Sequence, residues 1–238
     1  MPEIIAAKNL HKIYRVGETL VHALAGVTFS VQKGEFVAVT GTSGSGKSTL
    51  LNMLAGLEPV SDGEVIIDGH HIEKLNENQL VNFRRENVGF VFQSFNLIPT
   101  FNAAENVALP LTFRGEDKQQ RLDKAMRMLQ IVGLETHANH LPLQMSGGQQ
   151  QRVGVARALV VDPAIIFADE PTGNLDSKNG AEVMQLLRNI VDVGQQTVVI
   201  VTHDRELAKK ADRIIHLSDG RIVRQERKKK IDVKAEQR

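Results

Sequence analysis

The 238-residue sequence predicts an α/β fold: a doubly wound core of parallel strands, an antiparallel β lobe at the N-terminal end and a helical lobe inserted between core strands. Three observations predict it. A glycine-rich loop, Gly41 to Thr49, stands between the apolar run Phe36-Val37-Ala38-Val39 and the helix-like Leu50-Leu51-Asn52-Met53-Leu54-Ala55. Two further runs, Ala164 to Ala168 and Val198 to Val201, are apolar throughout, as strands buried on both faces are, and each delivers polar residues at its carboxyl end. From Phe95 to about Leu159 strand patterns disappear and helical spacing replaces them.

Composition narrows the function classes. Lys plus Arg number 29 against 28 Asp plus Glu, so no overall field calls for nucleic acid or an anionic membrane, and such binding would have to be local. Cysteine is absent, which excludes disulfides and thiolate metal sites. No signal segment is expected, nor direct membrane insertion. Glu105 and Arg157 interrupt the longest apolar candidates, short of the roughly 18 residues that span a bilayer.

In chain order, Ile4-Ile5-Ala6 and Val27-Thr28-Phe29-Ser30-Val31 read as strands of the first lobe, around a loop region that carries Tyr14, Arg15 and Gly17. Tyr14, the sole tyrosine, offers a ring that either stacks on a base or simply packs. Gly34 turns the chain into the first core strand. The loop that follows, Gly41-Thr42-Ser43-Gly44-Ser45-Gly46-Lys47-Ser48-Thr49, fits a P-loop in the strand-to-helix context that motif requires. Its glycines let successive backbone N–H groups face a polyphosphate, Lys47 adds a charge for the β- and γ-phosphates, Ser48 is placed to ligate Mg²⁺, and Thr49 begins the helix. This defines a P-loop NTPase core of RecA-like type.

Glu64 to Gly69 is a short strand ending in a turn, about Asn76 to Glu86 is helical, and Val88 to Phe92 is a strand that delivers Gln93 where ligands sit in open α/β sheets. Ala104 to Phe113 and Lys118 to Val132 read as helices of the inserted lobe. Ser146-Gly147-Gly148-Gln149 opens another helix, to about Val161, with Ser146 as N-cap. Capping explains the serine, but two glycines in a first turn, at roughly 1 kcal/mol each relative to alanine, call for a close approach. Asp169 and Glu170 end the next core strand. Alone they are a solvated strand end; beside a P-loop, Asp169 serves Mg²⁺ through its water shell and Glu170 an attacking water. His203, after the strand from Thr197, is by itself more often structural. Arg213 to Leu217 and Arg221 to Val223 flank a turn at Asp219-Gly220, and about 226–238 is a charged tail.

Together and in this order these parts resemble the nucleotide-binding subunit of ABC transporters, from Tyr14 to about Gly220. The resemblance implies one domain, with about 1–94 and 162–225 as nucleotide-binding core and β lobe and about 95–161 as the helical lobe. It implies that Tyr14 stacks on adenine, Gly41 to Thr49 is the Walker A loop, and Gln93 is the Q-loop residue, counted with Ser48 and Asp169 as a Mg²⁺ ligand. Ser146-Gly147-Gly148-Gln149 is then the signature, Ile165 to Glu170 Walker B, Asn174-Leu175-Asp176 the D-loop and His203 the switch histidine. Lys47, Gln93, Glu170 and His203 become the catalytic set, and ATP lies between two copies arranged head to tail. Met145 stands where the family more often has Leu, a similar volume.

Val91 to Pro99, Glu105 to Leu111 and Ala168 to Asp176 are similar to the MacB/LolD-type branch, which implies an ATP-dependent homodimer driving a permease with an extracytoplasmic domain, held at the inner face of the cell membrane through that permease. An FtsE-like regulator of cell-wall hydrolysis is the alternative within the family. A soluble DNA-repair or translation ATPase fits less well, given the near-neutral charge and the lack of a coiled-coil insertion. Phe95, Leu97, Ile98, Pro99 and Phe101 are expected to form a groove for a permease helix.

Overall fold

The computed structural model describes residues 2–194 and 196–228. Two sheets share the core. The N-terminal hairpin pairs β1 (Glu3–Val16) with β2 (Thr19–Gln32), and β1 also pairs β4 (Asp62–Ile67), which is followed by β5 (His70–His71), giving an antiparallel sheet in the order β2-β1-β4-β5. The second sheet contains β3 (Phe36–Thr40), β6 (Val88–Val91), β7 (Ile165–Asp169), β8 (Thr197–Thr202), β9 (Arg213–Ser218) and β10 (Arg221–Arg227). Its order is β10-β9-β3-β8-β7-β6, parallel except for the β10 edge. The expected core strands and antiparallel lobe are therefore present.

Strand alternation explains how one sheet serves two cores. In β3, Val37 and Val39 face the antiparallel sheet and join Leu10, Leu24, Val31, Phe167 and Val201, with Leu50, Leu51 and Leu54 of α1 (Lys47–Leu54). Phe36 and Ala38 point the other way and join Ile166, Val198, Ile200 and the helical lobe. That lobe packs α3 (Ala103–Phe113), α4 (Lys118–Ile131) and α5 (Gly147–Leu159) together, with α6 (Ser177–Gly194) beside α5. The remaining helices are α2 (Glu77–Asn87) and the short α7 (Arg205–Ala208). Burying each large side chain of these cores contributes about 1.5–3 kcal/mol.

Four expectations shift. Tyr14 belongs to β1 rather than to a loop, because the hairpin closes over two residues with Val16 opposite Thr19. α1 starts at Lys47, two residues before Thr49. β10 continues through Arg227 because His216 on β9 and Glu226 on β10 meet at 2.8 Å, so Glu226 and Arg227 are strand and not tail. Residues 229–238, the rest of the expected tail, lie outside the described residues. Finally, α6 occupies a stretch for which no element was expected; Val183, Met184, Leu187, Ile190 and Val191 recur at helical spacing and are all buried.

Candidate functional site

The parallel strands β3, β7 and β8 end at one edge, with Thr40 opposite Thr202 and Asp169 opposite Val201. A cavity of about 400 Å³ opens there, lined by Ser43, Gly44, Gly46, Lys47, Ser48, Thr49, Gln93, Glu170, His203 and Ala23. Nine of the site residues expected from the sequence thus share one cavity, and Ala23, from β2, joins them without a sequence signal.

The floor is the start of α1. Its N-cap, Gly46, is left-handed at φ 97°, and a Cβ there would stand 2.4 Å from the carbonyl oxygen of Ala23, so only glycine fits. No side chain caps the helix and its first turn holds no acidic residue, which leaves its N–H groups and positive end for an anion. Lys47 is 7% exposed and donates to the carbonyl oxygen of Thr42 at 2.9 Å. Gly41 opens the loop after β3. Ser45 turns its hydroxyl into the protein, and its carbonyl oxygen accepts from the Gly220 N–H at 3.1 Å, so it offers the site backbone only.

On the wall, the Ser48 hydroxyl donates to Asp169 Oδ1 at 3.0 Å across the intervening strand β8. Burial pushes the Asp169 carboxyl up, the Ser48 hydrogen bond opposes that shift, Glu170 reinforces it and Lys47 opposes it. Glu170, next in the chain, sits at φ 45°, a left-handed conformation costly for a non-glycine residue; its N–H donates to the carbonyl oxygen of Val201 at 2.9 Å. His203 Nδ1 donates to Glu170 Oε2 at 2.6 Å, with the histidine side chain 68% exposed and the glutamate 16%. Glu170 is thereby aimed along the cavity rim. The Gln93 side chain rests against Gly173, where a Cβ would come within 2.8 Å of its amide nitrogen, and the Asn174 amide donates to the Gln93 carbonyl oxygen at 3.1 Å.

Tyr14 lies beside the start of α1, its hydroxyl 3.5 Å from Thr49 Oγ1, and Lys12 Nζ stands 5.2 Å from its ring centroid while pairing with Glu58 at 3.1 Å. Burial, and then the neighbouring Glu58, raise the phenol above its ordinary value.

The Ser146 group does not line this cavity. Ser146 caps α5 in a reciprocal box: its Oγ accepts from the Gln149 N–H at 3.3 Å, and Gln149 Oε1 accepts from the Ser146 N–H at 2.8 Å. That fixes the amide, so Gln149 Nε2 donates to His137 Nε2 at 3.1 Å and the histidine proton sits on Nδ1, donating to Thr136 Oγ1 at 3.1 Å. Within the chain the two glycines differ in the room around them. A Cβ on Gly148 would meet Asn179 Oδ1 at 2.4 Å, whereas one on Gly147 would lie 3.5 Å from Leu175. Asp176 caps α6: its Oδ1 accepts from the Asn179 N–H at 2.9 Å and its Oδ2 from Asn179 Nδ2 at 2.5 Å, and these bonds hold its carboxyl below the usual range.

An apolar cavity of about 320 Å³ opens between core and helical lobe, lined by Val81, Phe90, Phe92, Pro110, Phe113, Ala158 and Val161 and edged by Arg84, Arg85 and Arg157; none of Phe95, Leu97, Ile98, Pro99 and Phe101 lines it. Phe95, Leu97, Ile98 and Phe101 are half-buried, and Asn106 holds their segment through hydrogen bonds to Ile98 and Phe101.

Comparison with known proteins agrees with this geometry. Residues 24–173 match the family described as ABC transporter. An ABC transporter ATP-binding protein of Methanocaldococcus jannaschii, MJ0796, is 46% identical over 96% of this chain and 99% of its own length. The macrolide export ATP-binding/permease protein MacB of Brucella melitensis is 46% identical over 92% of this chain, which covers 34% of that longer protein. A dimeric post-hydrolysis state of the MJ0796 cassette bound to ADP and Pi matches with TM-score 0.87 at 46% identity, covering 94% of this chain and 98% of that chain. With a P-loop cavity, a second helix start on a separate surface and relatives across nearly its whole length, the chain belongs to the ABC transporter family, as an ATP-hydrolysing cassette.

Proposed function

We propose that the chain binds Mg-ATP between two head-to-tail copies and that the cycle of closure and hydrolysis drives a MacB/LolD-type membrane permease with an extracytoplasmic domain, at the inner face of the cell membrane. The observation that carries this reading is the pairing of Glu170 with His203 on the rim of a cavity whose floor is the uncapped start of α1.

The α1 N–H groups and Lys47 hold the β- and γ-phosphates, and Tyr14 stacks on the adenine beside Thr49. Ser48, Asp169 and Gln93 would hold Mg²⁺: all three offer hard oxygen donors, and no cluster of three or more His, Cys, Asp or Glu among the described residues could hold a metal alone, which suits an ion that completes its shell with water and phosphate. The ion supplies neutralisation of phosphate charge when bound. Glu170 orients the attacking water and takes its proton as the new bond to phosphorus forms and the bond to the ADP oxygen breaks. His203 fixes the Glu170 carboxylate through Nδ1, leaving Nε2 to meet the γ-phosphate. Ser146 to Gln149 and Asp176 serve the opposing site, supported by their position outside the cavity and by the dimeric form of the MJ0796 cassette.

The arginine-edged apolar cavity between the lobes is the seat for a permease helix, supported by relatives named as joint ATP-binding and permease proteins. No helix among the described residues is long and apolar enough to cross a membrane. Co-purification of the chain with the adjacently encoded permease, with ATPase activity stimulated in the complex, tests the reading. Recovery with DNA or ribosomes instead would overturn it.

A further inference from the structure

One side chain that the catalytic scheme leaves unused ties its parts together. Gln151 lies in the second turn of α5 and is fully buried. Both N–H groups of its amide are spent on loop carbonyls: Nε2 donates to the Pro171 oxygen at 2.7 Å and to the Phe92 oxygen at 3.2 Å. Phe92 immediately precedes Gln93, and Pro171 immediately follows Glu170. A single buried amide therefore joins the helix that begins at Ser146 to both loops that place catalytic side chains in the nucleotide cavity. Leaving its oxygen without a protein partner among the described residues works against stability, so the amide is held there for its two donors. The same helix grips the far side of Gln93 as well, since Arg157 donates to the carbonyl oxygens of Phe95 at 2.7 Å and Asn96 at 2.5 Å.

We propose that Gln151 is a positioning residue that couples the two ATP sites of the dimer. The inference rests on the head-to-tail reading above: the Ser146 end of α5 engages ATP bound to the other copy, whereas Gln93 and Glu170 act on ATP bound to their own. A shift of α5 when the far nucleotide binds is passed by Gln151 to the Phe92 and Pro171 carbonyls. The left-handed Glu170 then settles into its working position, and hydrolysis at one site answers to occupancy of the other.

The test compares the wild type with Gln151→Met, which keeps length and volume but has no donor. Initial ATPase rates over a range of ATP concentrations are measured, together with nucleotide-dependent dimerisation by light scattering in the Glu170→Gln background. The expected result is a wild-type Hill coefficient above 1, and a variant that binds ATP within about threefold of wild type and still dimerises, yet loses about 10- to 100-fold in kcat with its Hill coefficient falling to 1. An unchanged kcat and Hill coefficient would overturn the proposal, as would a lower kcat with cooperativity intact. Failure of the Glu170→Gln parent itself to dimerise with ATP would instead remove the head-to-tail reading. Should Gln151→Met not fold, Gln151→Glu keeps the shape of the side chain, and its carboxyl can donate only when protonated. Its activity relative to wild type should then rise as pH falls, and a flat ratio would count against the role.

Discussion

His203 Nδ1 donates to Glu170 Oε2 at 2.6 Å, joining the residue after β8 to the residue after β7. Two strand ends thus hold one carboxylate. His203 is 68% exposed while Glu170 is 16% exposed, so the glutamate is the enclosed member of the pair and the histidine holds it from the solvent side. His203→Ala should leave the fold and ATP affinity nearly intact and lower kcat by about 10²-fold, as loss of a group that orients the base would. Steady-state kinetics check this; a large rise in KM with kcat unchanged would show that His203 serves nucleotide binding instead.

Lys47 is buried at the start of α1, where its ammonium donates, among the described residues, to the Thr42 carbonyl alone. Lys47→Ala should therefore fold normally and lose tight Mg-ATP binding or turnover by 10²-fold or more, since a charge-assisted contact to phosphate disappears. Calorimetric titration with a nonhydrolysable ATP analogue and a phosphate-release assay read the two effects separately. Near-normal turnover would refute the site.

The two signature glycines should behave differently on substitution. A Cβ on Gly148 collides with Asn179, whose amide is held by Asp176, whereas Gly147 has room. Gly148→Ala should destabilise the isolated chain by about 1–3 kcal/mol through overpacking, and Asn179→Ala in the same chain should recover most of that loss. Gly147→Ala should leave the melting temperature nearly unchanged. Equal melting temperatures for Gly147→Ala and Gly148→Ala would show that Asn179 yields freely.

Strand ends were the most legible part of the molecule. Val37 to Val39, Ile165 to Ala168 and Val198 to Val201 carry uninterrupted apolar sequence because both faces of the parallel sheet are covered, and the polar residues after them had only the open edge to occupy. Contacts made through side chains remote in sequence were not legible. Gly148 against Asn179 and Gln151 on Phe92 and Pro171 depend on the packing of α5 against α6 and the loops after β6 and β7, and no local pattern encodes them. α6 had a signal, since Asp176 is a strong N-cap type ahead of Val183, Leu187 and Ile190. The conformation of Phe95 to Phe101 was not legible either, because Asn106, several residues on, folds that segment back and leaves Phe95, Leu97, Ile98 and Phe101 half-buried.

Glu73 sets a pH dependence outside the site. Burial alone would raise its carboxyl, but the hydrogen bond from His71 at 2.8 Å and backbone donors, its own N–H and that of Val65 at 3.0 Å, outweigh burial and hold it below the usual range. A carboxylate held low contributes stability at pH values above its unfolded pKa of about 4.3 and loses that contribution as pH falls through the lower folded value. Glu73→Gln should therefore melt below wild type, by an amount corresponding to about 1 kcal/mol, at pH 5–6, and the gap should close below about pH 4. Melting curves across that range check it, and a gap that widens toward acid would mean the carboxyl is not held low.

The two halves of the proposed nucleotide site lie on separate surfaces of one chain: the α1 floor lines the cavity and the Ser146 cap of α5 does not. ATP bound over α1 presents phosphate charge that a second helix start can satisfy from the other side, so dimerisation should require ATP and reverse on hydrolysis. Glu170→Gln keeps the shape of the side chain while removing its basicity. Turnover should fall by roughly 10²–10⁴-fold with binding retained, and the variant should accumulate as a closed dimer in Mg-ATP and remain monomeric in Mg-ADP or without nucleotide. Adding Ser146→Arg replaces the small cap with a bulky side chain at the face that meets the other copy, and should return the protein to monomer in all three conditions. Gel filtration with light scattering separates these states directly. A dimer indifferent to nucleotide, or one that survives Ser146→Arg, would mean that ATP is not the bridge between the copies.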